Sequence, residues 1–388
     1  MFKPRVFILF GAPGSGKSFA LEYYNKKHGI RFKTITKEST RLARNDEKDV
    51  ECVKNISENC DFRYSQYGYD YGFSSREIWT LFSQKHNSAL IANDLRTVRL
   101  LKRKFGPLAR TIYVHSNMNK QQLSSLMKIR YPNKSPKFLK TEMDKRIEKI
   151  KTVHRKYIEN TSLFDYTILN TYLEPNKESE ERLFNQLNNI IIDDSLEQRR
   201  IKSSVKIFII VGGTYSGKDE LVVAMQQIEK SRIVNYPKAT NRPKRQDDRG
   251  ELRHFEFNIP EEFNITYSKQ GFIYGISTQE IWGSLAEGKA NLLIVSDFEA
   301  IDKIVKEFGN ICTIIYLHAN FDLEEIKTTM LDQGVPEKEA DDRILTIQNL
   351  QKMYAEQMPK FDHVLLNTVE PEDLYDQAFN IVDYYQGT

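Results

Sequence analysis

A strand running into a glycine-rich phosphate loop occurs twice in this chain, about two hundred residues apart, and no other feature restricts its fold as strongly. Val6-Phe7-Ile8-Leu9-Phe10 leads into Gly11-Ala12-Pro13-Gly14-Ser15-Gly16-Lys17-Ser18. Val205-Lys206-Ile207-Phe208-Ile209-Ile210-Val211 leads into Gly212-Gly213-Thr214-Tyr215-Ser216-Gly217-Lys218-Asp219. The first run satisfies the whole phosphate-loop pattern. The second departs from it at the last position, where Asp219 replaces a hydroxyl.

The loops are the first of a series of pairs. An offset of 201 carries Lys17 onto Lys218 and Arg41 onto Arg242. It becomes 203 for Tyr71-Gly72 and Tyr274-Gly275, for Asp94 and Asp297, and for His115 and His318. It falls to 197 for Arg146 and Arg343, Phe164-Asp165 and Phe361-Asp362, and Asn170 and Asn367. Pairs that keep this order along the chain mean one domain duplicated. The six-residue change falls between His115 and Arg146, so that segment reads as an exposed, mobile piece. It carries Lys128, Arg130, Lys134, Lys137 and Lys140 in copy one, against Glu324, Glu325, Asp332, Glu337 and Glu339 in copy two.

Each copy alternates short apolar strands with longer helical runs, which predicts an α/β fold: a mostly parallel sheet flanked by helices. Strands are expected at Ser88 to Asn93, Thr111 to His115 and Tyr166 to Leu169. Helices are expected at Phe19 to Lys27 and Met143 to Ile158. The predicted organisation is 1–192 for the first domain, a polar linker or short helix at 193–204, and 205–388 for the second. With 388 residues, 40% hydrophobic and 28% charged, the chain has material for two cores and does not read as disordered. A net charge of +4 permits anionic metabolites without implying nucleic acid. Cys52, Cys60 and Cys312 are too few and too scattered for a disulfide framework or a zinc site. No apolar run reaches membrane-spanning length, so a cytoplasmic location is the default expectation.

In copy one the loop supplies every part of a triphosphate seat. Gly11, Gly14 and Gly16 let backbone amides turn inward, with Ser15 between them. Lys17 would reach the β/γ-phosphates of ATP, and Ser18 would ligate Mg²⁺. Copy two offers Gly212, Gly217, Lys218 and Asp219. Arg41 and Arg44, three apart, can grip one dianionic group, and Arg242 and Arg245 repeat them. Tyr71 adds a phenolic hydroxyl, as does Tyr274. Asp94, and Asp297 after it, end a strand where a carboxylate can hold metal-bound water or orient an arginine. Arg130 and Arg146 would neutralise charge in the transition state. Trp79 and Trp282 recur on a helix and read as buried against the sheet.

Taken together, these residues resemble two tandem domains of the guanylate-kinase family of P-loop kinases. The signs are the phosphate loop, Ser39-Thr40-Arg41-Leu42-Ala43-Arg44 with Glu47, Tyr71-Gly72, Asp94, and Phe164-Asp165-Tyr166 leading to Asn170. The resemblance implies a lid and an acceptor-binding subdomain in each copy, with ATP in the loop and an acceptor phosphate on Arg41, Arg44 and Tyr71. Guanine recognition is not carried over: Phe73 and Ile276 stand where the family places Ser or Thr. Tyr274-Gly275-Ile276 with Lys218-Asp219 is similar to the branch that phosphorylates ribose 1,5-bisphosphate. The expected function is therefore ATP-dependent phosphoryl transfer to a small phosphorylated acceptor, nucleotide or sugar, chiefly in copy one. A non-catalytic module that binds nucleotide or a protein partner is the alternative. Nucleic-acid termini rest only on the basic lid.

Overall fold

The computed structural model describes residues 4–28, 32–41, 49–66, 68–92, 94–116, 120–131, 134–170, 177–195, 205–228, 233–244, 253–255, 259–269, 271–319, 322–367 and 370–386. The chain divides into two compact units, residues 1–157 with 163–199 and residues 158–162 with 200–388.

The first unit opens with β1 (Val6–Gly11), α1 (Lys17–His28), β2 (Phe32–Thr34), β3 (Lys37–Ser39), β4 (Val50–Cys52), β5 (Phe62–Gln66) and β6 (Tyr69–Phe73). It continues with α2 (Ser75–Ser83), β7 (Asn87–Ile91), α3 (Leu95–Phe105) and β8 (Ala109–Ser116). Then come α4 (Lys120–Arg130), α5 (Pro136–Ile158), β9 (Tyr166–Asn170) and α6 (Lys177–Ser195). Five strands form a parallel sheet in the order β2-β7-β1-β8-β9. Four others form a smaller sheet, β4-β3-β6-β5, in which β6 is antiparallel to both neighbours.

Central β1 shows why this chain segment becomes a strand. Val6 to Phe10 are at most 1% exposed, so the run is apolar on both faces, as a parallel strand covered by helices requires. Each such side chain gains about 1.5–3 kcal/mol on burial. Because β1 lies mid-sheet, its carboxyl end opens between β7 and β8. The phosphate loop therefore starts where the strand order turns, the position at which α/β sheets receive ligands.

The second unit repeats this plan. Its elements are β10 (Ile207–Gly212), α7 (Lys218–Gln227), β11 (Ile233–Asn235), β12 (Lys238–Thr240), β13 (Arg253–Phe255), β14 (Ile265–Lys269) and β15 (Phe272–Ile276). They continue with α8 (Thr278–Ala286), β16 (Ala290–Ile294), α9 (Phe298–Phe308), β17 (Cys312–Ala319), α10 (Leu323–Asp332), α11 (Glu337–Gln357), β18 (His363–Asn367) and α12 (Pro371–Gln386). The sheets run β11-β16-β10-β17-β18 and β13-β12-β15-β14. The two units are thus organised alike: α/β, each with a parallel sheet, flanking helices and a small mixed sheet.

Three expectations change in detail. The polar run at 193–204 begins inside α6, which extends to Ser195; 196–204 lie outside the described residues. The segment expected to be an exposed, mobile piece is helical and partly packed: Leu123 and Met127 are each 1% exposed. Its lysines do face solvent, Lys128, Lys134, Lys137 and Lys140 among them. Trp79 and Trp282 are 45% and 46% exposed instead of buried. The inner stripe of α2 is Ser75, Ile78 and Leu81, and position 79 falls beside it. Trp79 leans on Phe105 at the end of α3, ring centres 5.2 Å apart, and Trp282 leans on Phe308.

Among the described residues, no helix is long and apolar enough to cross a membrane.

Candidate functional site

The first phosphate loop joins β1 to α1 and turns on two glycines in left-handed conformations, Gly14 at φ 87° and Gly16 at φ 93°. Gly16 is also hemmed in: a Cβ there would lie 2.9 Å from the Asn170 amide nitrogen and 3.1 Å from a Leu183 methyl. That amide donates to the Ser15 carbonyl at 3.0 Å, so the end of β9 holds the loop from behind. Asn367 makes the same bond to Ser216 in the second unit.

Lys17 curls back over the loop. Its Nζ donates to the carbonyls of Gly11 at 2.8 Å and Ala12 at 2.6 Å, and approaches the Ser15 hydroxyl at 3.2 Å. The side chain is only half-buried, but the ammonium itself sits inside the loop. Burial pushes its pKa down to about 7; the charge of Lys37 adds to this and Asp49 opposes it. A polyphosphate anion would reverse the balance, because an opposite charge favours the protonated form. Ser18 lies exposed on the first turn of α1, where its hydroxyl is accessible to a metal.

Lys37 is a residue that motif reading passed over. It sits on β3, is 2% exposed, and donates to the Ile91 carbonyl at the end of β7, 3.0 Å away. Asp49 pairs with it at 3.8 Å. Burial pushes its ammonium pKa down, Asp49 counters, and Arg41 pushes it further down. Lys37 therefore lies within electrostatic reach of both Lys17 and Arg41, between the phosphate loop and the small sheet. The second unit repeats the strut: Lys238 donates to the Ile294 carbonyl at 2.5 Å and to the Tyr267 hydroxyl at 3.1 Å. Its nitrogen also lies 5.3 Å from the Tyr274 ring centre. The recurrence at offset 201 was the available signal.

The acceptor residues sort unevenly. Arg41 and Arg242 are 7% and 5% exposed, each following a small-sheet strand. Arg44 and Arg245 lie outside the described residues. Tyr71 is 6% exposed and stacks on Tyr64 at 5.1 Å; Tyr274 stacks on Tyr267 at 5.3 Å. Phe73, at the position where the family's Ser or Thr would contact the acceptor, is 1% exposed and stacks on Phe62 at 4.9 Å. It is core, because it ends β6 on the packed face. Gly72 beside it is required by close packing: a Cβ there would strike Ile56 and lie 2.9 Å from the Cys60 Cβ.

Asp94 has a capping role that the sequence reading did not give it. It caps α3, accepting from the Thr97 amide at 2.8 Å on one oxygen and the Thr97 hydroxyl at 2.7 Å on the other. Asp297 caps α9 through the Ala300 amide at 2.8 Å. Fixing the first turn of the following helix is what these carboxylates are seen to do. Among the described residues, no group of three or more His, Cys, Asp or Glu is placed to hold a metal. The donor set nevertheless suits Mg²⁺ brought in with phosphate oxygens, since that ion keeps most of its waters and needs few protein ligands. Ser18 is the residue that fits.

In the segment expected to form a lid, α4 ends at Arg130, whose side chain is outside the described residues. Arg146, on α5, is 5% exposed. Glu142 holds its Nε at 3.3 Å and the Tyr131 hydroxyl lies 3.4 Å from Nη2. Its Nη1 is buried with no hydrogen-bond partner among the described residues. Arg343 has a closer carboxylate, with Glu339 at 2.7 Å.

Comparison with models of protein families finds no match, and neither does comparison with curated protein sequences. Among solved structures, the chain is similar to guanylate kinase from Anaplasma phagocytophilum. The identity is 14%, over 51% of this chain and 89% of that one, with a TM-score of 0.34.

Proposed function

We propose that the first unit transfers a phosphoryl group from ATP to a small acceptor that already carries phosphate. The observation that carries the reading is the pair of lysine ammonium groups at the loop and the small sheet, Lys17 and Lys37, each pushed below the ordinary lysine range chiefly by burial, with Lys17 folded onto the loop carbonyls. Two ammonium groups drawn out of water favour an anion brought to the site. One polyanion on the loop and a second on the small sheet would complete it.

Each group has a separate task in this reading. Lys17 leaves its loop carbonyls for the donor phosphates. Arg41, with Arg44 and Tyr71, holds the acceptor phosphate in line. Arg146 turns its unsatisfied Nη1 to the transferring group, joined by Arg130 from the lid. Mg²⁺, held by Ser18 and phosphate oxygens, would supply further charge neutralisation. No covalent protein intermediate is needed, because positioning and charge neutralisation suffice for phosphoryl transfer.

The acceptor class follows from what the pocket wall lacks. With Phe73 in the core, a nucleobase finds no hydrogen-bond partner at that position, and weak pairing means weak base selection. Lys37 favours an acceptor bearing more negative charge. Sugar phosphates and nucleoside monophosphates are therefore tested side by side. Incubation of the full chain with Mg²⁺-ATP and each acceptor should release ADP only when a suitable acceptor is present. Substituting Lys17→Ala should lower the rate by roughly a hundredfold or more, the scale expected for loss of a charge-stabilising donor. Unchanged turnover in that variant would defeat the proposal.

A further inference from the structure

The second phosphate loop differs from the first at a position the consensus pattern leaves free. Tyr215 stands where copy one has Gly14 and keeps a left-handed backbone at φ 59°. A bulky residue there is uncommon and strained, so something must compensate it. Two contacts do. The hydroxyl donates to Gln333 Oε1 at 2.5 Å, just past the end of α10. The ring packs against the lid's apolar cluster, whose buried members are Ile326, Met330, Ala340 and Ile347.

Space and charge agree with those contacts. Between the loop residues Gly213, Thr214 and Ser216 and the lid residues Leu323, Ile326 and Ile347, the cavity is about 20 Å³, room for about one water. The first turn of α7 carries Asp219 and Glu220, whereas the first turn of α1 carries no acid. Those carboxylates already supply the negative charge that the positive end of the helix would otherwise draw from a phosphate. The lid helix α10 likewise starts with Glu324 and Glu325.

We propose that Tyr215 straps the second unit's phosphate loop to its own lid and that this loop takes up no nucleoside triphosphate, leaving one triphosphate site per chain, in the first unit. This rests on reading the first loop as a triphosphate seat. The strap keeps the lid down without a ligand, and the second unit serves the chain as a folded, unliganded copy.

Two measurements on the full-length chain test it. In a calorimetric titration with Mg²⁺ and a non-hydrolysable ATP analogue, the parent should bind one equivalent and Lys17→Ala none. One equivalent retained by Lys17→Ala overturns the proposal, as do two equivalents in the parent. Without nucleotide, hydrogen exchange at amides 326–334 should rise roughly fivefold in Tyr215→Phe, the scale of one hydrogen bond, and further in Tyr215→Gly. Exchange unchanged in both variants overturns the strap. A parent that binds nothing contradicts the reading of the first loop instead, and the exchange result still decides the strap.

Discussion

Asn170 donates its side-chain amide to the backbone carbonyl of Ser15 at 3.0 Å, across 155 residues of sequence. The bond ties the end of β9 to the turn of the phosphate loop, and Gly16 is the residue that lets the amide come so close. Asn170→Ala leaves a buried carbonyl unpaired, a loss of about 1–2 kcal/mol. Thermal unfolding should shift down by several degrees, with nucleotide affinity falling more than the shift alone explains. Equal melting and equal affinity would mean the loop holds its shape without β9.

Lys17 predicts a proton linkage. With the loop empty its pKa is near 7, against an ordinary 10.5. Between those values the unfolded chain carries a proton that the folded chain has shed. Stability from this group therefore rises with pH across that window and is weakest below 7. Triphosphate binding should restore the proton, so binding near pH 8.5 takes up close to one proton and weakens as pH rises further. Titration calorimetry in buffers of differing ionisation enthalpy reads this directly; Lys17→Met should show no uptake.

Replacing Lys37 should separate acceptor binding from donor binding in the proposed reaction. Its ammonium reaches the Ile91 carbonyl and Asp49, so replacement by Met removes a positive charge from the small-sheet side of the site. The Michaelis constant for the acceptor should rise about tenfold, the scale of a single charge-assisted contact, while that for ATP changes little. A rise confined to ATP would place Lys37 with the donor.

Phe73→Ser tests whether the missing base contact can be restored. The side chain is stacked on Phe62 and buried, so truncation opens a cavity costing about 3–5 kcal/mol. The variant should be destabilised and gain no activity toward GMP. A stable variant with new GMP turnover would show that position 73 faces the acceptor.

The fold was largely readable because duplication wrote each strand twice, and because β1 and β10 are apolar on both faces, as only covered parallel strands are. The turn after β1 was readable for a simpler reason: Gly14 and Gly16 take left-handed backbone angles that glycine adopts without strain. The cap made by Asp94 and the burial of Phe73 were not readable, because a family pattern names positions without showing what else engages the side chain. Thr97, one turn on, claims both oxygens of Asp94; Phe62, across the strand pair, claims Phe73. Lys37 was missed because no motif contains it, and only its repetition as Lys238 marks it in the sequence. Tyr215 needed the backbone angle and the Gln333 contact to acquire meaning.

In the proposed reaction the first phosphate loop, and not the second, performs the transfer. Radiolabelled γ-phosphate from ATP should appear on a phosphorylated acceptor when the parent chain turns over. The same transfer should persist in Lys218→Ala and vanish in Lys17→Ala. Transfer that survives Lys17→Ala but is lost in Lys218→Ala would contradict the assignment, as would label that reaches no acceptor in the whole panel.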